Sequence, residues 1–297
     1  MRASFALAVA VLLGAPATSA GADTETVWPR GGAYQVAAAG NGRGDAVVAF
    51  RNRRGVLYTA FASRGGRFGR PRPVRGGRVG RDPEAIRVAI DERGDALIAW
   101  TSDDASYDPD PLSRDEGCCY RVRAFVRRRS ERLTRVRTIN RRGDSAALID
   151  ADAARGRFGL LWQDYEAEAV ARLAVGGVSG RFGQRRTLPG KAEPVGLALS
   201  PRRVLVHRLR GGARRRDKLT TLRYSGRRLG RPRRGVVRGT RAVDSLGGFS
   251  STVRGDVLGL HTTYAPRYRT RIVTGGRGSR ARRVRGGYDR AALAGSG

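Results

Sequence analysis

The chain has 297 residues, 59 Lys plus Arg against 26 Asp plus Glu, and a formal net charge of +33. No apolar run approaches the roughly 20 residues a membrane-spanning helix needs, so a transmembrane segment is excluded. The charge implies nonspecific attraction to polyanions, but Lys191 and Lys218 are the sole lysines, and so strong an arginine skew beside abundant Ala and Gly reads as GC-rich coding before it reads as a nucleic-acid interface.

The first twenty residues combine Met1 and Arg2, an apolar run from Phe5 to Leu13, and APATSA ending at Ala20. That order is a secretory signal peptide, predicting cleavage near Ala20 and a secreted, extracellular mature chain from Gly21. No Cys follows the apolar run, which argues against a lipid anchor. Next comes TETVWPR, Thr24 to Arg30, which resembles an outer strand without its sheet and is expected to close a ring against the last repeat.

Five repeated segments then follow, at about 34–76, 85–140, 145–190, 194–239 and 245–287. In each, a turn residue precedes a ring-bearing residue by the same six positions: Gly44 and Phe50, Gly94 and Trp100, Gly156 and Trp162, Pro201 and His207, Gly255 and His261. Each unit reads as four short strands punctuated by Gly and Pro. The second strands are almost continuously apolar, which suits burial on both faces. The third strands alternate, Tyr120, Val122, Ala124 and Val126 against Arg121, Arg123 and Arg127, which predicts one wet face. The fourth strands carry Pro and Arg, devices that protect an exposed edge.

Four strands per repeat, with no sustained helical period, predict an all-β β-propeller of four-stranded antiparallel blades filling residues 21–297 as one domain. Five blades are expected; a six-bladed ring, paired β-sandwiches or an open array are the alternatives. The units resemble the secreted propeller-like repeat proteins of high-GC actinobacteria, best over residues 34–76 and 86–100, and more distantly the sialidase-like and WD40-like propellers. The resemblance implies the fold and export and little about chemistry. The S-x-D-x-G-x-T-W box of sialidases does not appear.

Candidate chemistry concentrates in the connection from the second to the third strand of the second repeat, TSDDASYDPDPLSRDEGCC. It holds Asp103, Asp104, Asp108 and Asp110, and the matching connection of the third repeat adds Asp164, Glu166 and Glu168. On a propeller these acids share one face, expected to be the ligand face, as a solvated acidic loop or as oxygen donors for Ca²⁺. The spacing is not that of an EF-hand, so the metal is unassigned and no cofactor is implied. Cys118 and Cys119 are adjacent; in an exported chain a vicinal disulfide, an intermolecular bridge or free thiols are the options.

Asp150 and Asp152 stand where the second repeat has Val88 and Ile90, and so are expected on an innermost strand, lining an axial channel. There they are either channel-wall acids or the carboxyl pair of a glycosidase. His207 and His261 occupy aromatic positions and read as core residues. No nucleophile elbow, P-loop, dinucleotide fingerprint or zinc spacing is present. The leading functional expectation is a noncatalytic extracellular binding or scaffold propeller for envelope glycan, cell-wall polymer or another exported protein. The alternatives are a sialidase-like or glycosidase-like enzyme, and a polyanion binder using the Arg-rich surface. Oligomeric state is not encoded in any motif.

Overall fold

The computed structural model describes residues 7–9, 25–28, 32–64, 66–79, 86–103, 120–129, 133–140, 145–164, 170–210, 218–226, 228–236, 246–251, 257–263, 269–275 and 282–283. Only backbone is described for 7–9, 25–28, 103, 210, 218, 236 and everything from 246 onward. No helix long and apolar enough to cross a membrane occurs among these residues.

Among the described residues the strands form five four-stranded antiparallel sheets and one two-stranded sheet. In the two-stranded sheet, β1 (Leu7–Val9) pairs with β2 (Glu25–Trp28), so the strand expected to close the ring against the last repeat instead pairs with part of the apolar run Phe5 to Leu13. The first blade is β3 (Ala33–Gly40), β4 (Ala46–Asn52), β5 (Val56–Ala62) and β6 (Arg72–Arg78). The second is β7 (Ile86–Ile90), β8 (Ala96–Asp103), β9 (Tyr120–Arg127) and β10 (Arg137–Thr138). The third is β11 (Ala146–Ala154), β12 (Arg157–Asp164), β13 (Val170–Gly177) and β14 (Gln184–Thr187). The fourth is β15 (Glu193–Leu199), β16 (Arg203–Arg210), β17 (Lys218–Ser225) and β18 (Arg233–Val236), and the last is β19 (Leu246–Ser251), β20 (Val257–Thr263), β21 (Arg269–Gly275) and β22 (Arg282–Arg283). Within each sheet the strands run in sequence order, and the first strands pack in succession, β3 on β7, β7 on β11, β11 on β15 and β15 on β19. The fold is an all-β propeller, as the repeat predicted.

The spacing of turn and ring residues has a direct structural cause. Gly44, Gly94 and Gly156 all have positive φ, at 83°, 85° and 76°, a conformation a Cβ disfavours. In blade 3, Arg155 and Gly156 are both left-handed and close a two-residue hairpin between Ala154 and Arg157, the turn whose twist matches that of paired strands. From that turn the register carries each ring to one place: Phe50 opposite Val36, Trp100 opposite Ile86, Trp162 opposite Leu148 and His207 opposite Gly196. The inner strand bulges beside the ring in blades 1, 3 and 4, which bends it where the blades converge.

The hydrophobic cores lie between blades. Val47, Ala49 and Leu57 of blade 1 meet Ile98, Trp100 and Phe125 of blade 2. Leu97, Val122 and Ile139 of blade 2 meet Leu148, Phe158, Leu160 and Trp162 of blade 3. Leu161, Leu173 and Val175 of blade 3 then meet Leu199, Val206, Leu222 and Tyr224 of blade 4. Hence the second strands of blades 1 to 4 are buried on both faces, as their apolar runs predicted; Val47, Val48, Ala49 and Phe50 are all fully buried. The third strands depart from expectation. Arg121 is 3% exposed and Phe125 1%, because a third strand is also sandwiched between neighbouring blades. Among the described residues the fourth strands meet water most broadly, as in β6, where Arg72, Arg75 and Arg78 are exposed.

Candidate functional site

The blade 2 insertion is rooted beside blade 3. Asp103 at the end of β8 registers with Tyr120 at the start of β9. Tyr120 N donates to Ser145 Oγ at 3.3 Å, and Leu148 N donates to Thr101 Oγ1 at 3.2 Å. Ala146 and Leu148 in turn register with Asp164 and Trp162. The root of the insertion and the end of β12 therefore share one end of the disc. Asp104, Asp108, Asp110, Glu166, Glu168, Cys118 and Cys119 lie outside the described residues, as does the Asp103 side chain.

Asp164 is not a free ligand at that end. Its carboxylate is 1% exposed, accepts from Trp162 Nε1 at 2.9 Å, and pairs with the Arg172 guanidinium on the adjacent strand. This partner set holds the Trp162 indole in the core between blades 2 and 3. Among the described residues no three His, Cys, Asp or Glu side chains gather as metal ligands do.

Asp150 and Asp152 are half-buried on β11, the first strand of its blade; the bulge after Leu148 sets them opposite Leu161 and Gly159, the register held in blade 2 by Arg87 and Ala89 rather than by Val88 and Ile90. Their carboxyls turn sideways onto the next blade. Asp150 Oδ2 accepts from Leu197 N at 2.7 Å and Asp152 Oδ2 from Leu199 N at 2.6 Å, while their Oδ1 atoms accept from Ala151 N and Ala153 N, both at 2.8 Å. The N–H groups of alternate residues on β15 point away from its partner β16, and an unpaired edge donor is costly once shielded from water. The two aspartates satisfy that edge and tie blade 3 to blade 4. Burial pushes Asp152 up to about 7 and Asp150 up to about 6, Asp150 being partly restrained by the Arg87 guanidinium. Arg87 also crosses from β7 to donate from Nε to Ile149 O at 2.8 Å.

A second inter-blade relay escaped the sequence reading. In the turn of blade 2, Asp91 Oδ1 accepts from Arg93 N at 2.9 Å and Asp95 N at 3.0 Å, and Oδ2 accepts from Gly156 N in the turn of blade 3. Asn41 performs the local part in blade 1, accepting from Arg43 N and Asp45 N at 3.0 Å each, and its Nδ2 donates to Asp91 O at 2.7 Å. Asp45 and Asp95 continue the pattern by accepting from Arg64 N and Arg129 N. The signal was present in the repeated Asn41 and Asp91, Asp45 and Asp95, at matched offsets from Phe50 and Trp100.

His207 is fully buried and burial pushes it down to about 4, so it is neutral at physiological pH and fills the ring position of its blade. The His261 side chain lies outside the described residues.

Comparison with known proteins extends the fold and nothing finer. No family model and no curated protein matches the chain. Among solved structures it is similar to a polysaccharide lyase of family PL25, an ulvan lyase, at 9% identity and a TM-score of 0.56, covering 84% of this chain and 66% of that one. The chain thus spans just under two thirds of the lyase's length. A subtype N10 neuraminidase-like protein of A/little yellow-shouldered bat/Guatemala/060/2010 matches at 10% identity and a TM-score of 0.45, covering 81% and 77%. The NanB sialidase of Streptococcus pneumoniae matches at 7% identity and 0.46, covering 81% and 58%.

Proposed function

We propose that the chain is an exported carbohydrate-binding β-propeller, closed at five blades after its leader is removed near Ala20. Its ligand face is the end of the disc at which the blade 2 insertion and the 164–170 connection of blade 3 are rooted. The observation that supports this reading is the pair of hydrogen bonds from Tyr120 to Ser145 and from Leu148 to Thr101, which root the longest, most acidic connection beside the start of β11, whose register partner is the end of β12. Long loops held on a rigid scaffold are where propellers and other folds carry recognition. The ulvan lyase, solved bound to -[GlcA(1-4)Rha3S]-, supports a glycan as the ligand class.

The test is a glycan and cell-wall-polymer array probed at about 0.5 M salt, where charges more than a few ångströms apart are screened. Wild type is compared with a variant carrying Asp103, Asp104, Asp108 and Asp110 changed to Asn, each with and without Ca²⁺. Saturable binding that survives salt and is lost in the variant is the expected result. Binding equal in both would remove this face from consideration.

The competing reading is a carbohydrate-cleaving enzyme using Asp150 and Asp152, favoured by the raised pKa of both groups. Against it stands the engagement of all four carboxyl oxygens by backbone N–H groups. Release of reducing or unsaturated ends from uronate-containing and sialylated glycans, abolished by Asp150→Asn or Asp152→Asn, would establish the enzyme.

A further inference from the structure

On the outer rim, away from the proposed ligand face, a groove of about 500 Å³ runs between blades 2 and 3. One wall is Arg135 to Ile139, including β10, and the other is Arg181, Phe182, Gly183 and Arg185. Arg135, Arg137, Arg181 and Arg185 are all exposed, and none of the lining residues is acidic. Ile139 and Phe182 form its floor and belong to the packed core between the two blades, being 1% and 5% exposed.

The walls are fixed relative to each other. Gly180, at φ +68°, approaches Thr134 so closely that a Cβ there would lie 2.6 Å from Thr134 Oγ1. Arg128 Nε donates across the same junction to Val178 O at 3.3 Å. Arg135 and Arg137 are two positions apart in extended chain, so their side chains leave one face about 7 Å apart. Arg185 Nε donates to Phe182 O at 3.4 Å, which orients that guanidinium. Four planar forks facing a shared groove match carboxylate and sulfate groups on a polymer better than a single small anion.

We propose that this groove is an anion-reading site for one strand of an acidic glycan, its guanidinium groups pairing with uronate carboxylates or sulfate esters. A single-stranded nucleic acid offers phosphates too, but it is normally held by aromatic side chains on which its bases stack, and the one aromatic here, Phe182, is buried in the floor. The site is independent of the ligand face above, because substitutions at Asp103, Asp104, Asp108 and Asp110 leave its residues untouched.

The decisive experiment is calorimetric titration of the mature chain at about 0.15 M salt with heparin oligosaccharide, with oligogalacturonate, and with single-stranded DNA of equal charge. Two variants lose the same number of charges: a groove variant with Arg135, Arg137, Arg181 and Arg185 changed to Ala, and a rim control with exposed Arg67, Arg70, Arg72 and Arg75 changed to Ala. Circular dichroism melts verify that both fold, and the single reversal Arg137→Glu repeats the test with one substitution. The groove variant is expected to bind at least one glycan about tenfold or more weakly than the rim control does, the scale of one lost charge-assisted hydrogen bond. The heparin and galacturonate arms tell sulfate from carboxylate. Equal weakening in both variants overturns the proposal and leaves only the general field. So does DNA binding tighter than either glycan.

Discussion

Replacing Asp152 by alanine removes the acceptor for Leu199 N on the free edge of β15, and the consequence depends on pH in a direction opposite to that of an ordinary paired carboxylate. The lost hydrogen bond costs about 1–3 kcal/mol when the donor stays shielded from water. Against that, burial raises Asp152 from 3.8 to about 7. The folded state therefore holds the proton more tightly than the unfolded chain. That contribution is full below about 4 and is lost as pH rises through about 7. At about 1.4 kcal/mol per unit, the wild type loses up to about 4 kcal/mol across this window. Asp150, pushed up to about 6, adds a smaller loss of the same sign. Urea unfolding of the mature chain, followed through the buried Trp100 and Trp162, should show Asp152→Ala less stable than wild type near pH 5 and equal or more stable near pH 8. Asp152→Asn, which keeps a carbonyl acceptor, should show a flatter profile than wild type. Parallel stability profiles for wild type and Asp152→Ala between those pH values would refute the reasoning.

Asp91→Ala removes acceptors for three backbone N–H groups in two blades and should cost about 3 kcal/mol in chemical denaturation, more than Asn41→Ala. His207→Phe restores the ring type found at the equivalent positions of blades 1 to 3. Because the folded histidine is pushed down to about 4, its stability is present above about 6.5 and lost as pH falls toward 4, so the variant should hold its near-ultraviolet dichroism to lower pH than wild type. Gly159 stands where blades 1 and 2 have Val47 and Leu97, and an added Cβ would lie 2.7 Å from Leu199 Cδ1. Gly159→Val should lower the melting temperature by an amount equivalent to about 1–3 kcal/mol, and an unchanged melt would show that the blade 3 to blade 4 junction is looser than described.

Repeat organisation was legible because blades 1 to 3 solve the same local problem with a left-handed turn glycine, a doubly buried strand and a ring at fixed register, and blade 4 keeps that register with Pro201 in the turn. Aligning blade 3 on blade 2 set Asp150 and Asp152 on the first strand of the blade, but at the positions of Val88 and Ile90, because the bulge after Leu148 that shifts them by one residue has no counterpart in blade 2. Their role was not legible, because it depends on β15, and no single-blade alignment shows which edge donors a neighbouring blade leaves open. The third strands were misread for a related reason. Arg121 and Arg123 alternate with apolar residues as on a wet face, yet neighbouring blades cover Arg121 almost completely. The Asp91 relay is encoded in matched positions of two blades, but its reach to Gly156 N depends on the neighbouring blade, which no single repeat shows. The rim groove could not be read at all, since Arg135 and Arg181 are brought together by the packing of blade 2 on blade 3, Thr134 against Gly180 and Arg128 onto Val178, and arginine is too common in this chain to mark a site.

The central claim is that a specific glycan interaction exists beneath the nonspecific field of a +33 chain. The most direct test is equilibrium binding of the mature protein to a panel of acidic and neutral glycans at about 0.15 and 0.5 M salt, the higher value shrinking the screening length to a few ångströms. Saturable binding to a subset of the panel is expected, with the rank order of ligands preserved at both salts. Binding that tracks ligand charge alone and vanishes at the higher salt would contradict it.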